Sequence, residues 1–206
     1  MAFASASNFT VPIQGATNQG LLMPKLKYRF RATFANFGVS TSNLIELTKQ
    51  IADIKRPSLT FQEIPIDVYN SKVYMAGKPE WQTITVNLRD DSGNNVAKMV
   101  GEQVQKQFDF IEQASASSAI DYKFTLFYDM LDGGNATNNG SNGPTVLESW
   151  EINGCFITQV DYGEMAYNSN DPAMINMTIR YDNAIQTPTG IGVGTLVGQT
   201  IGAITG

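Results

Sequence analysis

Site chemistry near neutral pH needs side chains that titrate, attack or coordinate, and this chain is poor in them. Histidine is absent, which removes the commonest general base and the usual metal ligand. Cys155 is the single cysteine, so no thiolate cluster can form, and it sits mid-strand with no histidine to activate it. Asp90 and Asp91 are adjacent and could hold a divalent cation. Two acids ahead of an apolar helical repeat are better explained by the positive end of a helix dipole. The Gly-x-Gly near Gly190 lacks the third glycine of a dinucleotide site and follows no βα turn. No Gly-x-x-x-x-Gly-Lys-Ser/Thr occurs, so no P-loop is indicated. No catalytic residue, cofactor or metal is therefore assigned, and no enzyme activity is expected.

At 206 residues a single domain is expected, long enough to bury roughly 70% of its unfolded surface. The lone cysteine precludes an intrachain disulfide and fits folding in a reducing cytosol. The opening Met-Ala-Phe-Ala-Ser-Ala-Ser has no basic stretch ahead of an apolar run, so no secretory signal is expected. No run of about 18 apolar residues occurs, so no membrane anchor is expected. The net charge of -5 argues against tight nucleic-acid binding, which needs clustered Lys and Arg. Charge is also uneven: residues 1–89 hold 10 basic and 5 acidic side chains, residues 90–206 hold 4 and 14. The halves would attract one another, within a subunit or across a head-to-tail contact.

The stretch from Arg56 to Asp91 organises the chain. β-branched and aromatic residues, broken by Pro57, Pro65 and Gly77-Lys78-Pro79, predict successive strands. Ile84, Val86 and Leu88 alternate with Thr83, Thr85, Asn87 and Arg89, the pattern of a strand with one buried face. Upstream, Leu26, Tyr28, Phe30, Ala32 and Phe34 alternate with Lys27, Arg29 and Arg31, and Lys25 extends that basic face. Leu44, Ile45, Leu47, Ile51 and Ile54 fit a short amphipathic helix ending before Pro57. That segment or the following hairpin could project from the body. A long helix, capped by Asp91 or Ser92, carries Val96, Met99, Val100, Val104, Phe108 and Ile111 as one apolar stripe.

After a breaker at 114–118, Tyr122, Phe124, Leu126, Tyr128 and Met130 predict another strand. Turn formers fill Asp132 to Pro144. Val146 to Val160 predicts a strand with a bulge at Gly154, and Ile175, Met177, Ile179 and Tyr181 a last one, closing the body at about Asp182. The expected fold is mainly β: a two-sheet antiparallel β-sandwich or barrel with one flanking α-helix and extended terminal arms. The chain divides into an arm at 1–24, a body at 25–182 and a glycine-rich arm at 183–206. Residues 1–24 and 183–206 carry no charge, which suits arms lying on neighbouring subunits. Glycines at 190, 194, 198, 202 and 206 would share one face of a strand or, on a helix, form a small-residue pattern that lets two backbones approach closely.

The string Arg56-Pro57-Ser58-Leu59-Thr60-Phe61, the triplet Tyr69-Asn70-Ser71, Tyr74, the Ala76-Gly77-Lys78 turn and a strand ending in two aspartates resemble the tail tube protein of contractile-tailed, T-even-type bacteriophages. The resemblance is clearest over about 35 residues. It implies a β-sandwich or small barrel with a flanking helix, assembled as hexameric rings stacked into the inner tail tube. The implied partners are further copies of the chain, the tail sheath, baseplate and tail terminator proteins, with the tape measure protein and DNA in the lumen without tight binding. The implied location is the virion, after synthesis in the host cytoplasm. Carried onto this sequence, the resemblance makes Arg56, Pro57, Tyr69, Asn70, Ser71, Lys72, Tyr74, Gly77 and Lys78 the subunit and ring contact. An acidic lining would keep DNA off the wall, with Asp90, Asp91, Asp129, Glu148 and Glu151 as lumen candidates. Two other readings stay open: a tube of a related injection machine, type VI-like or tailocin, and a β-rich adhesin or glycan-binding module suggested by Tyr28, Trp81 and Trp150.

Overall fold

A computed structural model describes residues 24–39, 44–134, 144–188 and 193. In chain order the elements are β1 (Phe30–Ala35), α1 (Leu44–Lys49), β2 (Ile51–Ile54), β3 (Leu59–Val68), β4 (Ser71–Trp81), β5 (Ile84–Arg89) and α2 (Asn95–Gln107). There follow β6 (Phe108–Asp109), β7 (Ala114–Ser115), α3 (Ala119–Tyr122), β8 (Phe124–Leu131), β9 (Val146–Asp161), β10 (Met174–Arg180) and β11 (Asn183–Pro188). Every strand pairing is antiparallel.

Seven strands follow the path β1-β8-β9-β10-β5-β2, with β11 beside β9. β9 serves both sheets. Its first part pairs β8 on one edge and β11 on the other, and its last part pairs β10, which continues to β5 and β2. The expected mainly β architecture is what the chain adopts. The handover between sheets occurs at Gly154, where φ is +71. There the register moves from Phe124↔Cys155 to Leu126↔Ile152, so two β9 residues face one of β8. This is the predicted bulge, and it lets one strand bend between two sheets.

The core is built by alternation. Ile84, Val86 and Leu88 of β5, Phe124 and Leu126 of β8, and Ile175, Met177 and Ile179 of β10 are buried, and Val96, Met99 and Val100 of α2 pack with them. Asp91 opens α2: its carboxylate accepts from the Val96 amide at 2.9 Å and from Asn95 Nδ2 at 2.9 Å. The Val96 bond leads in holding its pKa below the ordinary carboxylate value. Ser92 has no such role; the residue flanking the helix is Asn94, in the left-handed region.

The chain departs from the expected elements at five places. β1 begins at Phe30 because the Arg29 amide bonds back to the Leu26 carbonyl at 3.1 Å, and Tyr28 is left 72% exposed on that turn. Ile51 and Ile54 belong to β2, paired with Leu88 and Val86; their spacing of three reads as helical, and the register shift between Ile51 and Asp53 is what lets both share one strand face along β5. α2 stops at Gln107, Phe108 is extended, and Ile111 is exposed, because the Asp109 carboxylate accepts from the Ile111 and Glu112 amides at 2.8 and 3.2 Å and turns the chain. Tyr122 closes α3 instead of starting β8. The body also runs on past Asp182, since β11 pairs with β9 from Asn183↔Asn153 to Pro188↔Glu148.

Residues 1–23 and most of 189–206 lie outside the described residues, and so do the arms expected there. Val193 is the exception: its carbonyl accepts from the Gln186 amide at 2.8 Å.

Candidate assembly interface

β3 and β4 form a two-stranded sheet of their own. Alternation gives this hairpin two faces. One carries Ile64 opposite Met75, Ile66 opposite Val73, and Val68; these five side chains are 40–55% exposed. The other carries Glu63 opposite Ala76, Pro65 opposite Tyr74, and Asp67 opposite Lys72. The tip is the two-residue loop Tyr69-Asn70, closed where Ser71 Oγ donates to the Val68 carbonyl at 3.2 Å. Tyr69 is fully exposed with φ +45, the sign that tight hairpin turns demand and that tyrosine rarely adopts. Where the register shifts between Phe61 and Glu63, Gly77 passes so close that a Cβ would lie 2.9 Å from the Gln62 carbonyl oxygen.

The stem is fastened to the body. Trp81 packs on Tyr181 with ring centroids 5.7 Å apart, Arg180 donates to Glu80 at 2.9 Å, and the Gln82 amide bonds the Ser58 carbonyl at 2.9 Å. The deepest fastening is polar. Glu148, 3% exposed, accepts from Lys25 Nζ at 2.5 Å, Trp150 Nε1 at 2.7 Å and Gln186 Nε2 at 2.9 Å, and pairs with Arg56. Burial alone would raise its pKa; the donors from Lys25, Trp150, Gln186 and Arg56 outweigh that and bring it down to about 2. One carboxylate thus joins the start of the described chain, the foot of the hairpin and β11.

No protein-family model matches the sequence, and no curated protein matches it. Solved structures do match. The chain superposes on the tube-terminating cap of the anti-feeding prophage with a TM-score of 0.60 at 17% identity, over 85% of this chain and 98% of that one. It superposes on a chain of the same system's baseplate with a TM-score of 0.58 at 10% identity, over 83% and 100%. A chain of the PVC extracellular contractile injection system sheath-tube complex gives 0.54 at 16% identity, over 80% and 92%. The chain has the fold of contractile injection system tube and cap proteins.

On this tube-and-cap fold, Tyr69, Asn70, Ser71, Lys72, Tyr74, Gly77 and Lys78 all lie on the one hairpin. Arg56 and Pro57 stand at its foot, and Arg56 turns inward to Glu148. The apolar face of Ile64, Ile66, Val68, Val73 and Met75 was missed by motif reading. In β3 the period-two spacing of Ile64, Ile66 and Val68 carries its signal; in β4 the apolar neighbours Tyr74 and Ala76 hide it.

The five lumen candidates separate. Asp129 and Glu151 share the outer face of the β1-β8-β9 sheet, where Asp129 faces Ser149 and Glu151 faces Phe127. Asp129 pairs with Arg31 at 2.7 Å. Glu148 is corrected to an interior residue: it shares strand parity with buried Trp150 and Ile152. Asp90 and Asp91 serve the turn into α2, where Asp90 Oδ1 accepts from the Asp91 amide at 3.0 Å. Two of the basic residues ahead of β1 also find partners inside the chain, Lys25 on Glu148 and Arg29 Nη1 on the Asp132 carbonyl at 2.6 Å.

Among the described residues no cluster of His, Cys, Asp and Glu could hold a metal ion. Cys155 is buried and its thiol pushed up to about 12, chiefly by burial. The aromatics considered for glycan binding do not gather: Trp150 is buried, Trp81 packs under the hairpin, and Tyr28 sits on a separate turn beneath Arg29.

Proposed function

We propose that this chain is the tube subunit of a contractile injection apparatus of the phage-tail type. Copies join into hexameric rings, and the rings stack head to tail into a hollow conduit for genome ejection. The observation that carries this reading is the hairpin: a fastened stem bearing a bare aliphatic face, on a body with the tube-and-cap fold. Covering five half-exposed aliphatic side chains is worth on the order of 5 kcal/mol per contact, and a second copy offers that cover repeatedly. Tyr69, Asn70, Ser71, Lys72, Tyr74 and Lys78 form the rim of this contact. Asp129 and Glu151 are the acids best placed on an outer sheet face to line a lumen. Sheath, baseplate and terminator proteins bind outside, and tape measure protein and DNA pass within without tight binding.

Electron microscopy of the concentrated, purified protein tests the proposal. Hollow filaments are expected, and charge reversal at Lys72 or Lys78 should shorten them. A protein that stays monomeric with and without a baseplate nucleus refutes the reading. A second reading is a tube-end component, favoured by the superposition on a tube-terminating cap; it predicts six-fold rings that do not elongate. A type VI-like or tailocin tube would form the same filaments but carry no genome.

A further inference from the structure

The hairpin has two outer edges, and they are not equivalent. β3 and β4 pair with each other and with no other strand among the described residues, so each turns a row of backbone amides and carbonyls away from its partner. Which residues supply that row follows from the turn. In an antiparallel pair, opposed residues alternate between exchanging their two hydrogen bonds and pointing both groups outward. Val68↔Ser71 closes the two-residue loop, so it is a hydrogen-bonded pair. Ile66↔Val73 and Ile64↔Met75 share its parity. Asp67↔Lys72, Pro65↔Tyr74 and Glu63↔Ala76 are the outward pairs.

The outer edge of β3 therefore offers the amides of Glu63 and Asp67 and none between them, because Pro65 has no N–H. A proline flanked by two acids closes a strand edge to pairing. The outer edge of β4 is intact. Lys72, Tyr74 and Ala76 each present an amide and a carbonyl, over a span of five residues without proline or glycine. No backbone hydrogen bond from another described element reaches any of the three, and all three residues are exposed.

Closing one edge limits what can add to the other. β4 of one hairpin cannot zip along β3 of another, so hairpins do not propagate edge to edge into an open fibre. The strand that pairs with β4 has to bring its own donors. A second copy holds such edges at β1 and β2, which end the strand path and are each paired on one side only among the described residues. Neither strand contains proline. We propose that the outer edge of β4, at Lys72, Tyr74 and Ala76, is where a second copy adds a strand to the hairpin, extending the aliphatic face of Val73 and Met75 across the junction. This rests on the tube-subunit reading and gives its hairpin contact a backbone component carried by one strand.

Hydrogen exchange on the full-length protein reads the two edges separately. The assembled parent is pulsed with deuterated buffer, quenched and resolved residue by residue by mass spectrometry, against the same pulse on protein too dilute to assemble. In the dilute protein the amides of Glu63, Asp67, Lys72, Tyr74 and Ala76 all exchange fast. On assembly the last three should slow at least roughly tenfold while Glu63 and Asp67 stay within about twofold. Ala76→Pro removes one outward donor and puts a ring where the added strand would lie, as Pro65 does on β3 without breaking the hairpin. With the monomer's circular dichroism unchanged, its concentration for half-assembly should rise at least roughly tenfold; if the variant does not fold, the exchange pattern decides by itself. Filaments in which both edges slow, or neither does, or a folded A76P that assembles like the parent, overturn the β4 assignment and leave the tube reading standing. Protection of β4 in a species that stops at dimers keeps the edge and overturns the tube reading. A parent that stays monomeric at every concentration, with and without a baseplate nucleus, overturns both.

Discussion

Replacing Glu148 by Gln removes one charge and little volume, and its cost follows from the site. A carboxyl moved from an ordinary 4.5 to about 2 in the folded chain contributes roughly 3 kcal/mol at neutral pH. Lys25 and Arg56 are 45% and 50% exposed, so they rehydrate once the carboxylate is gone. That keeps the loss below the roughly 3–5 kcal/mol seen when a buried charge is stranded. A Gln carbonyl can still accept from the Trp150 indole. A loss of about 2–3 kcal/mol at pH 7 is expected. Because the folded pKa is depressed, the contribution is complete above the unfolded value and is lost as pH falls through the folded one. Parent and E148Q should therefore converge between about pH 4.5 and pH 2. Urea denaturation across this range checks it at concentrations too low for assembly, followed by the fluorescence of Trp150, whose indole lies 2.7 Å from the carboxylate. Equal stabilities at pH 7, or a gap as wide at pH 2 as at pH 7, would refute the linkage.

Three further substitutions probe other parts of the structure. Gly154→Ala puts a Cβ where φ is +71 and against the Asp182 carboxylate; a loss of about 1–3 kcal/mol is expected in urea, and Asp182→Ala should recover only the part due to crowding. Gln107→Ala leaves the Ile157 amide and carbonyl without their side-chain partner; a loss of about 1–3 kcal/mol and faster hydrogen exchange at the Ile157 amide are expected, together with more edge-to-edge association. Ile66→Lys with Val73→Glu places an oppositely charged cross-strand pair on the bare hairpin face; the monomer's melting should stay within about 1 kcal/mol of the parent while filament formation is lost.

How much could be read from sequence depends on whether the deciding interaction is local. β5, β8 and β10 were legible because Ile84, Leu126 and Met177 each lie on a wholly buried face, and burial on one face writes a period of two into the chain. The end of α2 was not legible. Phe108 and Ile111 continue the apolar spacing, and the stop is made by one Asp109 carboxylate taking two backbone amides. Gln103 was invisible for the opposite reason. It is fully buried, and its amide is satisfied by the Gly38 amide at 2.9 Å and the Tyr122 carbonyl at 2.6 Å, groups far from it in sequence. Glu148 was misplaced because its charge outweighed its parity, although the strand pattern puts it on the inward face with Trp150.

The hairpin and the body illustrate two kinds of constraint. In the body, what must be kept is which side of a strand is apolar, and many residues satisfy that. Superposition at 10–17% identity is therefore unsurprising. In the hairpin no buried core sets the constraint. Ile64, Ile66, Val68, Val73 and Met75 have no core to face, yet all five stand on one face of the hairpin. Two paired strands of about ten residues are marginal by themselves, and an apolar face in water gives them no added stability. A fastened stem and a bare apolar face make physical sense together if the surface that covers that face belongs to another copy.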